Sequence, residues 1–262
     1  AQTVPPCTLE ITDAETFARD WTVIDVNSNV SANTWAYNDG NAMYTQDKSN
    51  AADDWLIAPA VTLEAGKAYK VSAYVKHSST FGSDKQKIEL KIGTAPTVEG
   101  LTTRLVYDES FQSRLFVEKS GTFSPAESGV FYVGLRCYSG SYMGDLYFQK
   151  IVIEEAPVYP VQITDLSIVA GERGAMSATL SWTWPSSDHL GGALSNLLGA
   201  KIYRGTDLVA TLDTATVGGK AGWIDSSIET AGNYTYKVVA YNTFGDSQGS
   251  ATTVTSPWIG ND

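Results

Sequence analysis

The stretch "DWLIAPAVTL" (54–63) passes from an acid through Trp55 into aliphatic residues and is then cut by Pro59. One long loop upstream lies "WTVIDVNSNVSANTW" (21–35), where a β-branched phrase runs into an Asn- and Ser-rich turn before Trp35. Further out, "KAYKVSAYVKHS" (67–78), "KQKIELKIG" (85–93), "SRLFVEKSGTF" (113–123) and "GVFYVGLRCYS" (129–139) alternate apolar with polar residues, with Gly, Asp, Ser or Pro between them. That period of two predicts half-buried antiparallel strands. Short strands at regular spacing, with no helical period between them, make the chain all-β, a sandwich or a barrel. The one helical signal is "DAETFARD" (13–20), with Asp13 as N-cap.

The chain of 262 residues is long enough for two ordinary domains. Lys and Arg total 18 against 29 Asp and Glu, a net charge of −11, and no basic stripe is present. A nucleic-acid partner is therefore disfavoured. No run of 18 apolar residues predicts a membrane span. The start at Ala-Gln-Thr is that of a chain whose signal peptide has been removed, and equally of one trimmed for expression.

The phrases at 21–35 and 54–63 resemble the cleaved-adhesin (choice-of-anchor J) jelly-roll domains of secreted bacterial proteins, with Trp21, Asp25, Trp35, Asp54, Trp55, Leu56, Ile57 and Pro59 in the matching positions. The resemblance covers about the first 155 residues. It implies a jelly-roll β-sandwich (galactose-binding-like) over 1–156 and a secreted or cell-surface bacterial setting. A linker is expected at "EEAPVYP" (154–160), where composition shifts. Beyond it, "ATLSWTWP" (178–185), "GAKIYRG" (199–205) and "GNYTYKVVAYNTFG" (232–245) resemble strands B, C and F of a fibronectin type III domain, expected over 160–258. Trp182 would be its core tryptophan and Tyr234, eight residues before Asn242, its corner tyrosine. A generic immunoglobulin-like sandwich is the alternative. The insertion 185–198 is filled by a short helix or an Ω-like loop. Because the Trp258-Ile259 pair would bury little at a free terminus, the chain is expected to continue into a longer polypeptide. Cys7 and Cys137 stand at the two ends of the first domain, where a jelly roll sets its first and last strands side by side. They form either a disulfide or two buried thiols.

Catalytic signatures are sparse. The two histidines, His77 and His189, fall in different domains, and no G-x-S-x-G, C-x-x-C, H-x-x-x-H, P-loop or G-x-G-x-x-G occurs. Asp53 and Asp54 are adjacent on a strand and point to opposite faces, so they are no hydrolytic pair. Asp25, Asn27 and Asn29 alternate as the oxygen ligands of a calcium loop do, although an Asx-type turn explains the same residues. The resemblance implies acids in the last strand beside such a metal, where this chain has Gln149 and Lys150. Five aromatic residues, Trp35, Tyr37, Tyr44, Tyr138 and Tyr142, lie in or beside loops, placed either to stack on a ligand or to fill the core. The expected function is non-catalytic adhesion or binding, to a glycan or an extracellular host or matrix protein. The alternatives are a structural spacer and an accessory region of a larger secreted hydrolase.

Overall fold

The computed structural model describes residues 2–79 and 81–261, in two compact units, Ala1–Ala156 and Pro157–Asp262. In the first unit the strands are β1 (Cys7–Glu10), β2 (Thr22–Asp25), β3 (Trp35–Asn38), β4 (Asn41–Tyr44), β5 (Asp54–Ile57), β6 (Val61–Leu63), β7 (Ala68–His77), β8 (Gln86–Gly93), β9 (Thr103–Phe111), β10 (Val117–Phe123), β11 (Gly129–Cys137) and β12 (Leu146–Ala156). A single helix, α1 (Ala14–Asp20), joins β1 to β2, and the Asp13 carboxylate caps it by accepting from the Thr16 amide at 2.8 Å.

One sheet runs β10-β7-β12-β4-β3, with β1 added against β12; the other runs β2-β5-β11-β8-β9, with β6 added against β11. Their inner faces make one core. Val71, Ala73 and Val75 of β7, Phe148, Ile151 and Ile153 of β12, and Val133 and Leu135 of β11 all belong to it. Each such side chain contributes about 1.5–3 kcal/mol through removal from water. This is the all-β sandwich that the alternation predicts, of the jelly-roll type that the resemblance implies.

The outer face of the second sheet carries its own small cluster. Ile24, Trp55, Arg136, Glu89 and Tyr107 stand in one cross-strand row. Leu101 folds back over Trp55 and Ile57 and is itself buried. The fully buried Glu89 carboxylate accepts from Arg104 at 2.8 Å and Arg136 at 3.0 Å, while Arg136 also reaches Asp53 at 2.7 Å.

Cys7 and Cys137 are free thiols, because they belong to opposite sheets. The strand that lies beside β1 is β12, and Cys7 faces Ile153 there, not Cys137. Burial pushes the Cys137 thiol up to about 12, which makes it inert.

The second unit pairs a three-stranded sheet, β13 (Ser167–Ala170), β14 (Ala178–Thr183) and β17 (Lys220–Asp225), with a five-stranded one. The latter comprises β15 (Gly199–Arg204), β16 (Asp207–Leu212), β18 (Thr235–Asn242), β19 (Gly245–Asp246) and β20 (Thr253–Thr255). Trp182 is buried at its centre, and the Tyr234 hydroxyl donates to the Thr230 carbonyl, closing a corner. Residues 185–198 contain no helix and are pinned by bridges Ser187–Ala193 and Pro160–Asp188. Ile259 corrects the sequence expectation: it is fully buried and bonds Gly232 in both directions, at 2.8 and 3.0 Å, so only Trp258 of that pair is exposed.

Candidate functional site

Two features at the loops of the first unit carry chemistry. The first follows from register. Asp25 of β2 is the direct partner of Asp54 of β5, so both carboxylates leave the ladder on one face. Asp54 is fully buried. Its Oδ2 accepts from the Asp53 amide at 3.0 Å, but its Oδ1 has no partner, and neither do the buried Asp25 Oδ1, Asn27 Oδ1 and Thr34 Oγ1. The Thr34 hydroxyl lies near enough to favour the ionised Asp54 yet outside hydrogen-bonding geometry. Burial, reinforced by the charge of Asp25, pushes the Asp54 carboxyl up to about 7.

A buried polar atom left unpaired costs about 1–3 kcal/mol, and here four oxygens are left so. Two carboxylates, an amide oxygen and a hydroxyl make an all-oxygen donor set that suits a hard divalent cation. Among the described residues no three of His, Cys, Asp and Glu converge on a metal position, so thiolate or imidazole ligation finds no support. Asn29 is exposed and stands outside this set. Lys150 follows a bulge after Phe148 and places its ammonium over the Tyr74 ring at 4.9 Å, so positions 149 and 150 of β12 add no acid.

The second feature is an open cleft of about 540 Å3 lined by Gln46, Ser78, Ser79, Phe81, Asp84 and Tyr142 among others. Phe81 is 72% exposed and Tyr142 59%. Tyr142 sits at φ +58°, a left-handed conformation that costs an L-residue about 1–2 kcal/mol. Its amide donates to the Asp47 carbonyl at 2.8 Å, and Lys48 lies 5.9 Å from its ring centre. Gly144, at φ +85°, closes the cleft floor by donating to Gln46 Oε1 at 2.8 Å; a Cβ there would meet His77 Nε2 at 2.7 Å.

The five aromatic candidates separate. Trp35 and Tyr44 are each 2% exposed and belong to the core, which corrects their reading as loop rings. The two-residue turn Asp39-Gly40, both at positive φ, makes β3 and β4 a tight hairpin. Trp35 then faces Tyr44 with ring centres 6.2 Å apart, and Trp35 Nε1 donates to the Asp54 carbonyl at 3.2 Å. Tyr37 is half-buried against the same core. Tyr138 stacks under Arg136 at 4.9 Å and donates to Glu109 at 3.1 Å. Tyr142 alone of the five lines the cleft. Sequence reading passed over Gln46 and Phe81, although an aromatic residue inside the Ser/Gly run 78–84 was a usable signal. Asp54 entered that reading only through the family resemblance and as half of an excluded hydrolytic pair.

No family model matches the sequence, and no curated protein matches it. Among solved structures the chain is similar to the K3 and K1 cleaved adhesin domains of Lys-gingipain from Porphyromonas gingivalis W83, at 11% and 15% identity and TM-scores of 0.41 for both. The matches cover 55% and 58% of this chain and 92% and 99% of those domains. It is also similar to the glycoside hydrolase domain of Endo-D from Streptococcus pneumoniae R6, at 16% identity and a TM-score of 0.35, over 90% of this chain and 37% of that one. These are cleaved adhesin domains, the family that residues 21–35 and 54–63 resemble.

Proposed function

We propose that the first unit is a non-catalytic carbohydrate-binding module of a secreted or surface-attached protein, and that its ligand sits in the Phe81–Tyr142 cleft. The observation that carries this reading is Tyr142: a bulky residue held in a left-handed conformation with most of its ring in solvent, across a polar-floored cleft from a still more exposed Phe81. Strain of this kind persists where surrounding contacts over-determine it, and it clusters at ligand sites. Aromatic faces flanking amides and hydroxyls suit the alternating apolar and hydroxylated surface of a sugar. Against hydrolysis stands the lining itself, in which Asp84 is the one carboxylate and already accepts from the Ser79 hydroxyl. Glycoside cleavage uses a pair.

The oxygen pocket at Asp25, Asn27, Thr34 and Asp54 is proposed to hold calcium, which when bound supplies charge neutralisation and fixes the 26–34 loop. The second unit is proposed as a fibronectin type III-like spacer, supported by its buried Trp182 and its Tyr234 corner. A glycan and polysaccharide array probed with the whole chain in calcium tests the ligand class. Signal that disappears in a folded Phe81→Ala/Tyr142→Ala double variant supports the reading; binding retained by that variant moves the site, and a silent array favours the spacer role for both units.

A further inference from the structure

The oxygen pocket and the cleft share one piece of chain. The Asn27 side chain, two residues from Asp25, leaves its Oδ1 buried and unpaired while its Nδ2 donates to the Ala51 carbonyl at 2.8 Å. Its backbone carbonyl accepts from the Val30 and Ser31 amides, at 2.8 and 3.0 Å, closing the loop behind it. That loop is tied forward to the segment 46–51 at three further points. Asn50 Nδ2 donates to the Val30 carbonyl at 3.3 Å and to Asp47 Oδ2 at 3.2 Å, Asn33 Nδ2 donates to the Gln46 carbonyl at 3.0 Å, and the Ser31 hydroxyl lies near enough to the Asp47 carboxylate to favour its ionised form. The far side of the same segment holds the cleft. The Asp47 carbonyl receives the Tyr142 amide, Gln46 Oε1 receives the Gly144 amide, and the Gln46 amide donates to Asp145 Oδ1 at 2.9 Å.

We propose that a divalent cation at the Asp25–Asp54 pocket orders the segment 46–51 and thereby sets Tyr142 and Gln46 in the cleft, with Asn27 and Asp47 as the positioning residues, so that ligand binding there is cation-dependent. This rests on the reading that the pocket takes such a cation and that the cleft is the ligand site. The physical basis is local. Without a cation, two ionised carboxylates facing one another repel across β2 and β5, opposed by the Asp53 amide on Asp54 Oδ2 and by the hydrogen bonding of the loop they carry. That loop is short of apolar contacts: Val26 and Val30 are both exposed. Segments of this kind open at low free-energy cost, and a ligand that closes one closes what is bonded to it. A cation on Asn27 Oδ1 also fixes the amide whose nitrogen holds Ala51. The Asp47 carbonyl accepts the Tyr142 amide, so the left-handed conformation of Tyr142 depends on where Asp47 stands.

Hydrogen exchange on the whole chain, stripped with chelator and then titrated with calcium chloride alone, tests this without knowledge of the glycan. The Val26 amide, which donates to the Asp53 carbonyl at 3.0 Å, reports the pocket; the Tyr142 and Gly144 amides report the cleft. Calcium is expected to slow exchange at all three by roughly tenfold, which corresponds to about 1.4 kcal/mol. In Asn50→Ala, which touches neither pocket nor cleft, the slowing at Val26 should persist while that at Tyr142 falls by at least half. Protection at Val26 with Tyr142 and Gly144 unchanged overturns the coupling and leaves the cation site standing. No calcium effect at Val26 removes the cation site and the coupling with it. An Asn50→Ala chain that responds at Tyr142 as the parent does overturns the proposed route.

Discussion

Asp25 and Asp54 face each other directly across the β2–β5 ladder, and Asp54 does so from a fully buried position. Like charges opposite one another destabilise a sheet, so this pair is stable only with one carboxyl protonated or with a cation between them. With the folded carboxyl at about 7, well above the ordinary aspartate range, Asp54 contributes stability that is complete below pH 4 and is lost as pH rises toward 7. In chelator, stability and with it the thermal midpoint should therefore fall between pH 5 and pH 8, by at most about 2–3 kcal/mol of stability over that range. In millimolar calcium that fall should vanish or reverse, since the cation binds the ionised pair. A chelated protein whose midpoint is flat across this range would contradict the pairing.

Asp54→Asn keeps the shape and removes the charge. The variant should melt higher than the parent in chelator at pH 8, and calcium should no longer raise its midpoint. Scanning calorimetry of the two proteins with and without calcium checks both halves, and a calcium response retained in full would place the cation elsewhere.

Tyr142 offers the opposite trade between stability and binding. Tyr142→Gly relieves the left-handed strain and should leave the fold as stable as the parent or more stable by up to about 1 kcal/mol, while eliminating binding on the array. Tyr142→Ala keeps the strain and loses binding as well. Urea denaturation separates the two, and a glycine variant that is clearly destabilised would show that the ring packs into the fold after all.

Much of this architecture was legible because two-residue alternation survives where strands are long and one face is buried. β7, β8 and β11 fall within two residues of the segments 67–78, 85–93 and 129–139. β9 was not legible: it is an edge strand whose ladder to β8 is broken at two bulges, and Arg104, Asp108, Glu109 and Ser110 interrupt its pattern. Trp35 and Tyr44 misled for a different reason. In four-residue strands the sequence shows no parity, and only the Asp39-Gly40 turn decides that both rings point inward. The oxygen pocket was half visible, since Asp25 and Asn27 are local in sequence while Asp54 and Thr34 join them through register and loop closure.

Gly134 tests the outer cluster of the second sheet. A Cβ at this position would come within 2.4 Å of Leu101 Cδ1, which is packed on Trp55 and Ile57. Gly134→Ala should cost about 1–3 kcal/mol by overpacking and should perturb Trp fluorescence from Trp55. Because the cluster lies on the face away from Asp54, the calcium response should be unchanged. A silent substitution would show that the 94–101 loop yields without cost.

In the second unit the decisive polar group is Asp225, fully buried between the two sheets' residues. Burial alone would raise its carboxyl, but bonds from Ser227 at 2.6 Å, Tyr236 at 2.6 Å and Arg204 at 2.7 Å hold it below the ordinary carboxylate range. Its stabilising contribution is present above pH 4 and is lost as pH falls through the depressed value. Tyr236→Phe removes one donor of several and should cost about 1–2 kcal/mol. Arg204→Met removes the positive charge and leaves the buried carboxylate unbalanced, which should cost about 3–5 kcal/mol. Hydrogen exchange of the β18 amides in the whole chain gives the readout: both variants should accelerate it, Arg204→Met the more, with β7 and β12 of the first unit unchanged. Equal and small effects from the two would mean that Ser227 and solvent satisfy Asp225 without its guanidinium partner.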